Sequence, residues 1–142
     1  MQPKLYLHSS FFLLFLLFAA NVPAQPGGSK VFFPEGNNTK IYSLFKNNNG
    51  CLLAGCSNGL YNFNGTHFTK IETNKPAITD TVTAIFQDNK NELWAGFKSG
   101  RIAATINGKL TYLDPEEGTP KKRITAFIQD RLNNIWFSTR GE

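Results

Sequence analysis

The sequence predicts an all-β chain built from repeated four-stranded antiparallel sheets, and three observations predict it. The first is a repeat: Val82-Thr-Ala-Ile-Phe-Gln-Asp-Asn-Lys-Asn-Glu-Leu-Trp-Ala-Gly96 returns 42 residues later as Ile124-Thr-Ala-Phe-Ile-Gln-Asp-Arg-Leu-Asn-Asn-Ile-Trp-Phe-Ser138. Six of the fifteen positions are identical: Thr83/Thr125, Ala84/Ala126, Gln87/Gln129, Asp88/Asp130, Asn91/Asn133 and Trp94/Trp136. A more divergent copy lies 41 residues upstream, with Ile41, Leu44, Phe45, Asn47, Gly50, Leu53 and Gly55 in the places of Val82, Ile85, Phe86, Asp88, Asn91, Trp94 and Gly96. The second is composition. Val, Ile, Phe, Trp and Thr gather in short runs, and no stretch after residue 24 keeps helical apolar spacing for three turns. The third is turn chemistry at fixed places within each copy.

Taken in order, residues 1–24 read as a secretory signal. Lys4 supplies the positive start, residues 11–20 form an unbroken apolar run, and Val22-Pro-Ala24 offers small residues for cleavage. The run is shorter than the about 20 apolar residues that cross a bilayer. Residues 25–40 form an N-terminal segment that could supply a closing strand. Residues 41–81 form the first unit, 82–123 the second, and 124–142 the start of a third.

Within the second unit, strands at Val82–Gln87, Leu93–Phe97, Arg101–Ile106 and Lys109–Leu113 alternate with three tight turns. Asp88 and Asp130 open the first turn, where a carboxylate can accept backbone amides two or three residues on; Asn47 can do the same through its amide oxygen. Gly50, Asn91 and Asn133 close it. Glycine and asparagine adopt positive φ most readily, so this position calls for a left-handed residue. Asn64-Gly65 and Asn107-Gly108 read as two-residue type I′ hairpin turns. Trp94 and Trp136 follow the first turn and read as packing anchors between neighbouring sheets, with Leu53 in the same place in the first copy. Gly55 and Gly96 hold equivalent places in the second strand. Because Ala84, Ile85 and Phe86 are consecutive, both faces of each sheet require cover. Radial stacking of successive sheets supplies it, which makes the fold a partial β-propeller of about two and a half four-stranded antiparallel blades.

The motifs that carry these positions resemble the two-component regulator propeller repeat, of the form apolar-Thr-x-Ile-x-x-Asp-x-x-Gly-x-Leu-Trp-Ile-Gly-Thr. The matching stretches are Val82–Asp88 with Leu93–Gly96, Ile124–Asp130 with Ile135–Thr139, and Leu52–Gly55 with Gly59–Tyr61. Asn91 and Asn133 replace the family's turn glycine, Leu53 its tryptophan, and Lys98 and Arg101 alter the approach to the third strand. The resemblance implies the periplasmic sensor region of a bacterial membrane histidine kinase, commonly a seven-bladed propeller followed by an immunoglobulin-like domain, a membrane span and a cytoplasmic kinase. On that reading the chain is an exported N-terminal fragment whose parent sits in the inner membrane as a homodimer. It supplies no catalytic residue; the phosphoacceptor histidine and nucleotide motifs of the kinase have no counterpart here.

Charge and single residues narrow the alternatives. The net charge is +5, and removing residues 1–24 removes only Lys4 among the charged side chains, which leaves a mildly basic chain without a nucleic-acid footprint. Lys121-Lys122-Arg123 reads as a solvated loop. Cys51 and Cys56 would stand roughly 16 Å apart along an extended strand, too far for a disulfide, so two free thiols are expected. His67 is the only histidine after residue 24 and reads as a solvent-facing strand residue, so no metal or cofactor site is expected. Glu116-Glu117 reads as part of a solvated loop, not a hydrolase pair, and Asn37-Asn-Thr39 and Asn64-Gly-Thr66 as chance glycosylation triplets. The partner expected is a small molecule, glycan or protein ligand at a face built from several loops, with Asn58, Lys98, Ser99, Arg101 and Arg140 as candidates. A secreted propeller without a kinase, acting as a carbohydrate-active enzyme or scaffold, is the alternative; a single β-sandwich is disfavoured by the fixed offset.

Overall fold

A computed structural model describes residues 31–34, 38–74, 80–113 and 121–141. The leader at 1–24, most of the segment at 25–40, the Glu116-Glu117 pair and part of the Asn37 triplet lie outside the described residues. Among the described residues of the unit Phe32–Glu142, ten strands follow one another. They are β1 (Ile41–Lys46), β2 (Leu52–Cys56), β3 (Gly59–Phe63), β4 (Phe68–Lys70), β5 (Val82–Gln87), β6 (Leu93–Phe97), β7 (Ile102–Ile106), β8 (Lys109–Leu113), β9 (Ile124–Gln129) and β10 (Ile135–Thr139). They pair in chain order into antiparallel sheets of four, four and two strands. The chain is an all-β partial propeller, and each sheet is referred to below as a blade.

Register explains why the copies keep their spacing. β1, β5 and β9 each pair with the following strand through one bulge, and the extra residue is Tyr42, Thr83 and Thr125 in turn. A bulge twists the strand and re-aims the side chain it carries. The turn that follows closes on a left-handed residue in every copy, with φ of 82° at Gly50, 65° at Asn91 and 67° at Asn133. At Asn107-Gly108 both residues have positive φ, 51° and 76°, and Ile106 pairs directly with Lys109, as a type I′ turn requires.

Asn64-Gly65 does not form that turn. Gly65 is left-handed, but Phe63 pairs with Phe68, so the loop has four residues. Asn64 holds it together through its side-chain oxygen, which accepts the Thr66 amide at 3.0 Å and the His67 amide at 3.0 Å. His67 therefore belongs to this exposed loop and not to a strand. Two-residue turns need the strand to resume at once, and Thr66-His67 delays it.

The core lies between blades 1 and 2. Leu53 and Leu60 of the first meet Val82, Ala95, Phe97, Ala103, Leu110 and Tyr112 of the second, all buried, and Phe97 and Tyr112 rings approach to 5.0 Å. Tyr61, fully buried, anchors a smaller cluster with Ala54 and Cys56. Phe32, ahead of β1, sits 4.8 Å from the Phe63 ring and is not in a strand.

Both thiols are free; Cys51 is exposed and Cys56 buried, and burial pushes the Cys56 thiol up to about 11. Reaction with a thiol reagent at neutral pH is expected to label Cys51 within the mixing time and Cys56 only after denaturant is added, because the thiolate is the reactive form. Equal labelling rates in the native protein would contradict the placement of Cys56.

Candidate functional site

The residues that repeat most faithfully converge on the seams between blades. At each seam a β-branched residue opening one blade sits on a glycine of the blade before it. A Cβ placed on Gly96 would meet Ile124 Cγ2 and lie 2.6 Å from its Cβ; one on Gly55 would meet Ser43 Oγ and lie 2.8 Å from Val82 Cγ1 and 2.9 Å from Val82 O. Neither glycine has positive φ, so the demand here is purely one of space. Beside the second seam the bulge turns Thr83 toward the next blade, where its hydroxyl donates to Ile124 O at 2.6 Å while lying 3.3 Å from Gly96 O.

The turn ends of the blades add a polar ladder. The Asn48 amide donates to Gln87 Oε1 at 2.9 Å and its side chain to Asn91 Oδ1 at 2.8 Å. One seam further on, the Asn89 amide donates to Gln129 Oε1 at 3.0 Å and its side chain bonds Asn133 Oδ1. Gln87 and Gln129 thus both reach another blade; Gln129 also donates its Nε2 to Asn89 Oδ1 at 3.2 Å, and Gln87 donates its Nε2 to Asn91 O of its own turn at 3.1 Å. Asn91 and Asn133 have two tasks, closing their own turn and accepting from the previous one.

Asp88 and Asp130 organise the same turns from within. One oxygen of Asp88 accepts the amides of Lys90 at 2.9 Å and Glu92 at 2.8 Å, and the other accepts the Trp94 indole N–H at 3.1 Å. Asp130 repeats this with Leu132 at 2.8 Å, Asn134 at 2.9 Å and the Trp136 indole at 2.8 Å. The amides bound are two and four residues on, one further than the expected pair, because the left-handed residue leads the chain back past the carboxylate. In blade 1, Asn47 accepts the Cys51 amide at 2.8 Å, and no tryptophan follows. Trp94 is half-buried with the Phe127 ring of blade 3 at 6.5 Å, and Trp136 is 59% exposed. Trp136 lies on the outer side of β9–β10, where no described blade follows.

The Trp136 indole, then the Asn134 side chain, then the backbone amides hold the Asp130 carboxyl down at about 2. A depressed carboxyl stabilises the folded state fully above its unfolded pKa, near 3.8, and that contribution is lost as pH falls toward 2. A carboxyl NMR titration is expected to place Asp130 near 2 in the intact chain, and Trp136→Phe should move it upward. An unchanged titration in that variant would contradict the role given to the indole.

The opposite end of the blades carries the expected face residues. Ser57, Lys98 and Arg140 donate their amides to Lys40, Thr81 and Arg123 carbonyls, each at 2.9 Å, so the three copies close alike. Ser99 bonds the Asp80 carboxylate, and Asn58 reaches Thr39 at 3.5 Å in the equivalent place. Arg101 is exposed beside them, and the Arg123 guanidinium stands 6.0 Å from the centroid of the Tyr42 ring, which ties blade 3 to blade 1 instead of leaving the basic run wholly solvated. Asn58, Lys98, Ser99, Arg101 and Arg140 therefore share one end. A narrow cleft lined by Leu60, Lys70, Glu72, Phe97, Leu110 and Tyr112 admits no more than a water-sized group. Among the described residues no group of His, Cys, Asp and Glu could hold a metal ion, and no helix is long and apolar enough to cross a membrane.

Residues 118–141, which hold β9, the Asp130 turn and β10, match the family model of the two component regulator propeller. The chain contains a two-component regulator propeller repeat. Three solved structures are similar to it at low identity. Two are crystal structures of the extracellular domain of BT4673 from B. thetaiotaomicron, assigned in one to a hybrid two component system and in the other to a one component system. They are 18% identical, with TM-scores of 0.34 and 0.33, and the matches cover 73% and 72% of this chain but 22% of that domain. The third, the computationally designed Ika4 protein, is 13% identical with a TM-score of 0.33 and coverage of 80% of this chain and 99% of the design. No curated protein matches the chain.

Proposed function

We propose that this chain is part of the extracytoplasmic sensing region of a two-component system, exported by residues 1–24, and that its blades bind a small molecule, glycan or protein and pass the change in their packing to a cytoplasmic output module. The observation that carries this reading is the regulator propeller match over residues 118–141, on a turn whose hydrogen bonds recur in blade 2. The chain's part is recognition, not catalysis. Ligand contacts would come from the end that bears Asn58, Lys98, Ser99, Arg101, Arg123 and Arg140, where connectors from successive blades meet. Seams built on glycine and a shared ladder then couple a displacement of one blade to the next, since close-packed interfaces shift between discrete arrangements instead of deforming smoothly.

The test is the reading frame beyond Glu142 together with an alkaline phosphatase fusion after residue 142. An apolar span of about 20 residues followed by a phosphoacceptor histidine region, with an active phosphatase outside the cytoplasm, is expected. A frame that ends without a span, or a fusion active only as a cytoplasmic reporter, would overturn the sensing role or the export respectively.

A further inference from the structure

The first strands of the three blades lie side by side, β1 beside β5 and β5 beside β9, and the residues that precede them are Lys40, Thr81 and Arg123. Each is fixed by the strand that returns beside it, since their carbonyls accept the amides of Ser57, Lys98 and Arg140 at 2.9 Å. Arg123 is held on its other side as well, because Ile124 is buried against Gly96. From this fixed base its side chain reaches blade 1 and places the guanidinium over the ring of Tyr42, 6.0 Å from the centroid. Tyr42 is the bulged residue of β1, and a bulge re-aims the side chain it carries. The ring stays 44% exposed although β5 of blade 2 lies against β1.

A ring face attracts a cation but carries no formal counter-charge. Among the described residues no carboxylate pairs with Arg123, and its Nε is buried with no hydrogen-bond partner. A buried donor left unbonded is costly, so this one calls for an acceptor. Arginine is a permanent cation whose five donors form a planar fork, which a carboxylate or sulfate answers with both charge and paired oxygens. Exposed Lys40 and Arg140 add positive charge at the same end, while the Asp80 carboxylate is turned to its own neighbours, accepting the Thr81 amide at 2.8 Å and bonding Ser99. We propose that Arg123, held over Tyr42, anchors a site for an oxyanion, the carboxylate or sulfate group of a ligand, with Lys40 and Arg140 supplying the surrounding positive charge. Because the backbone on both sides and the ring beneath already hold the guanidinium, little ordering is left to be paid on binding. This names the ligand chemistry of one end of the blades, and it rests on the reading of that end as the ligand face.

NMR titration of the whole chain at constant ionic strength tests it, with sodium acetate, sodium sulfate and neutral acetamide as the probes. Saturable shifts of the Arg123 Nε–H and of the Tyr42 ring protons are expected with acetate or sulfate, the tighter of the two naming the oxyanion, and none with acetamide. Arg123→Lys keeps the charge but not the fork, and should weaken binding about tenfold when followed at the Tyr42 ring. Tyr42→Leu removes the ring but not the cation, and should weaken it about threefold when followed at Arg123; it serves where the first variant fails to fold. Shifts that rise without saturation for both anions, saturation with acetamide as tight as with either anion, or binding undiminished in either variant would overturn the proposal. Each of these results leaves the sensing role to be decided by the reading frame, and a frame without a membrane span leaves the anion site standing.

Discussion

Replacing Gly96 with alanine is expected to lower stability by about 1–3 kcal/mol, the cost of forcing an extra carbon into a filled interior. The sign is not the default one. At a position with room and ordinary φ, glycine to alanine stabilises a fold by about 0.4–1 kcal/mol by narrowing the unfolded ensemble. At Gly96 the new carbon lies 2.6 Å from Ile124 Cβ, an atom fixed to the backbone of the next blade, so relief requires that blade to move. Gly141 provides the control, with nothing within 4 Å of its added carbon and no positive φ. Urea midpoints should fall for Gly96→Ala and hold or rise for Gly141→Ala. A Gly96→Ala protein as stable as the native chain would mean that blade 3 is not seated on β6.

The second large effect is expected at Asp88, and it depends on a partner. Asp88 is 4% exposed and accepts two amides and the Trp94 indole. Asp88→Asn keeps the shape, but an amide that accepts the backbone N–H groups must turn its own NH2 toward the indole N–H, donor against donor. Leaving a buried donor unsatisfied costs about 1–3 kcal/mol, and the half-buried indole is expected at the lower end of that range. Blade 1 shows the accommodation already in place, with Asn47 in the aspartate position and Leu53, 4% exposed, in the tryptophan position. The double variant Asp88→Asn/Trp94→Leu should therefore lose less than the sum of its singles, by on the order of 1 kcal/mol in a double-mutant cycle. Strict additivity would show that the indole bond contributes nothing.

That pairing of positions was within reach of the sequence: across the three copies aspartate keeps company with tryptophan and asparagine with leucine. What concealed it is that the contact crosses the hairpin, six residues apart, where no helical or strand period points. The blades were legible because local rules agree in every copy, with glycine or asparagine at the left-handed turn residue, Asn107-Gly108 at a two-residue hairpin, and apolar runs of strand length between. Asn64-Gly65 carried the same dipeptide signal and misled, since the outcome is set by where pairing resumes, at Phe68. The ladder was the least legible feature. Asn48 and Gln87 are 39 residues apart, and glutamine has no turn preference to announce it; the trace in the sequence was its identity at 87 and 129. The face residues show the same limit. Asn58, Ser99 and Arg140 stand in loops of successive blades, and the structure brings them to one end, where Asn58 and Ser99 have local partners in Thr39 and Asp80.

The account depends on adjacent blades meeting at glycine, and nuclear Overhauser contacts measure that directly. With methyl groups of Val82 and Ile124 labelled, strong cross-peaks are expected from Val82 to the Gly55 Hα protons and from Ile124 to the Gly96 Hα protons, at matching positions in both seams. Absence of either contact, or contacts from Val82 and Ile124 to non-equivalent positions, would contradict the stacking of these repeats as equivalent blades.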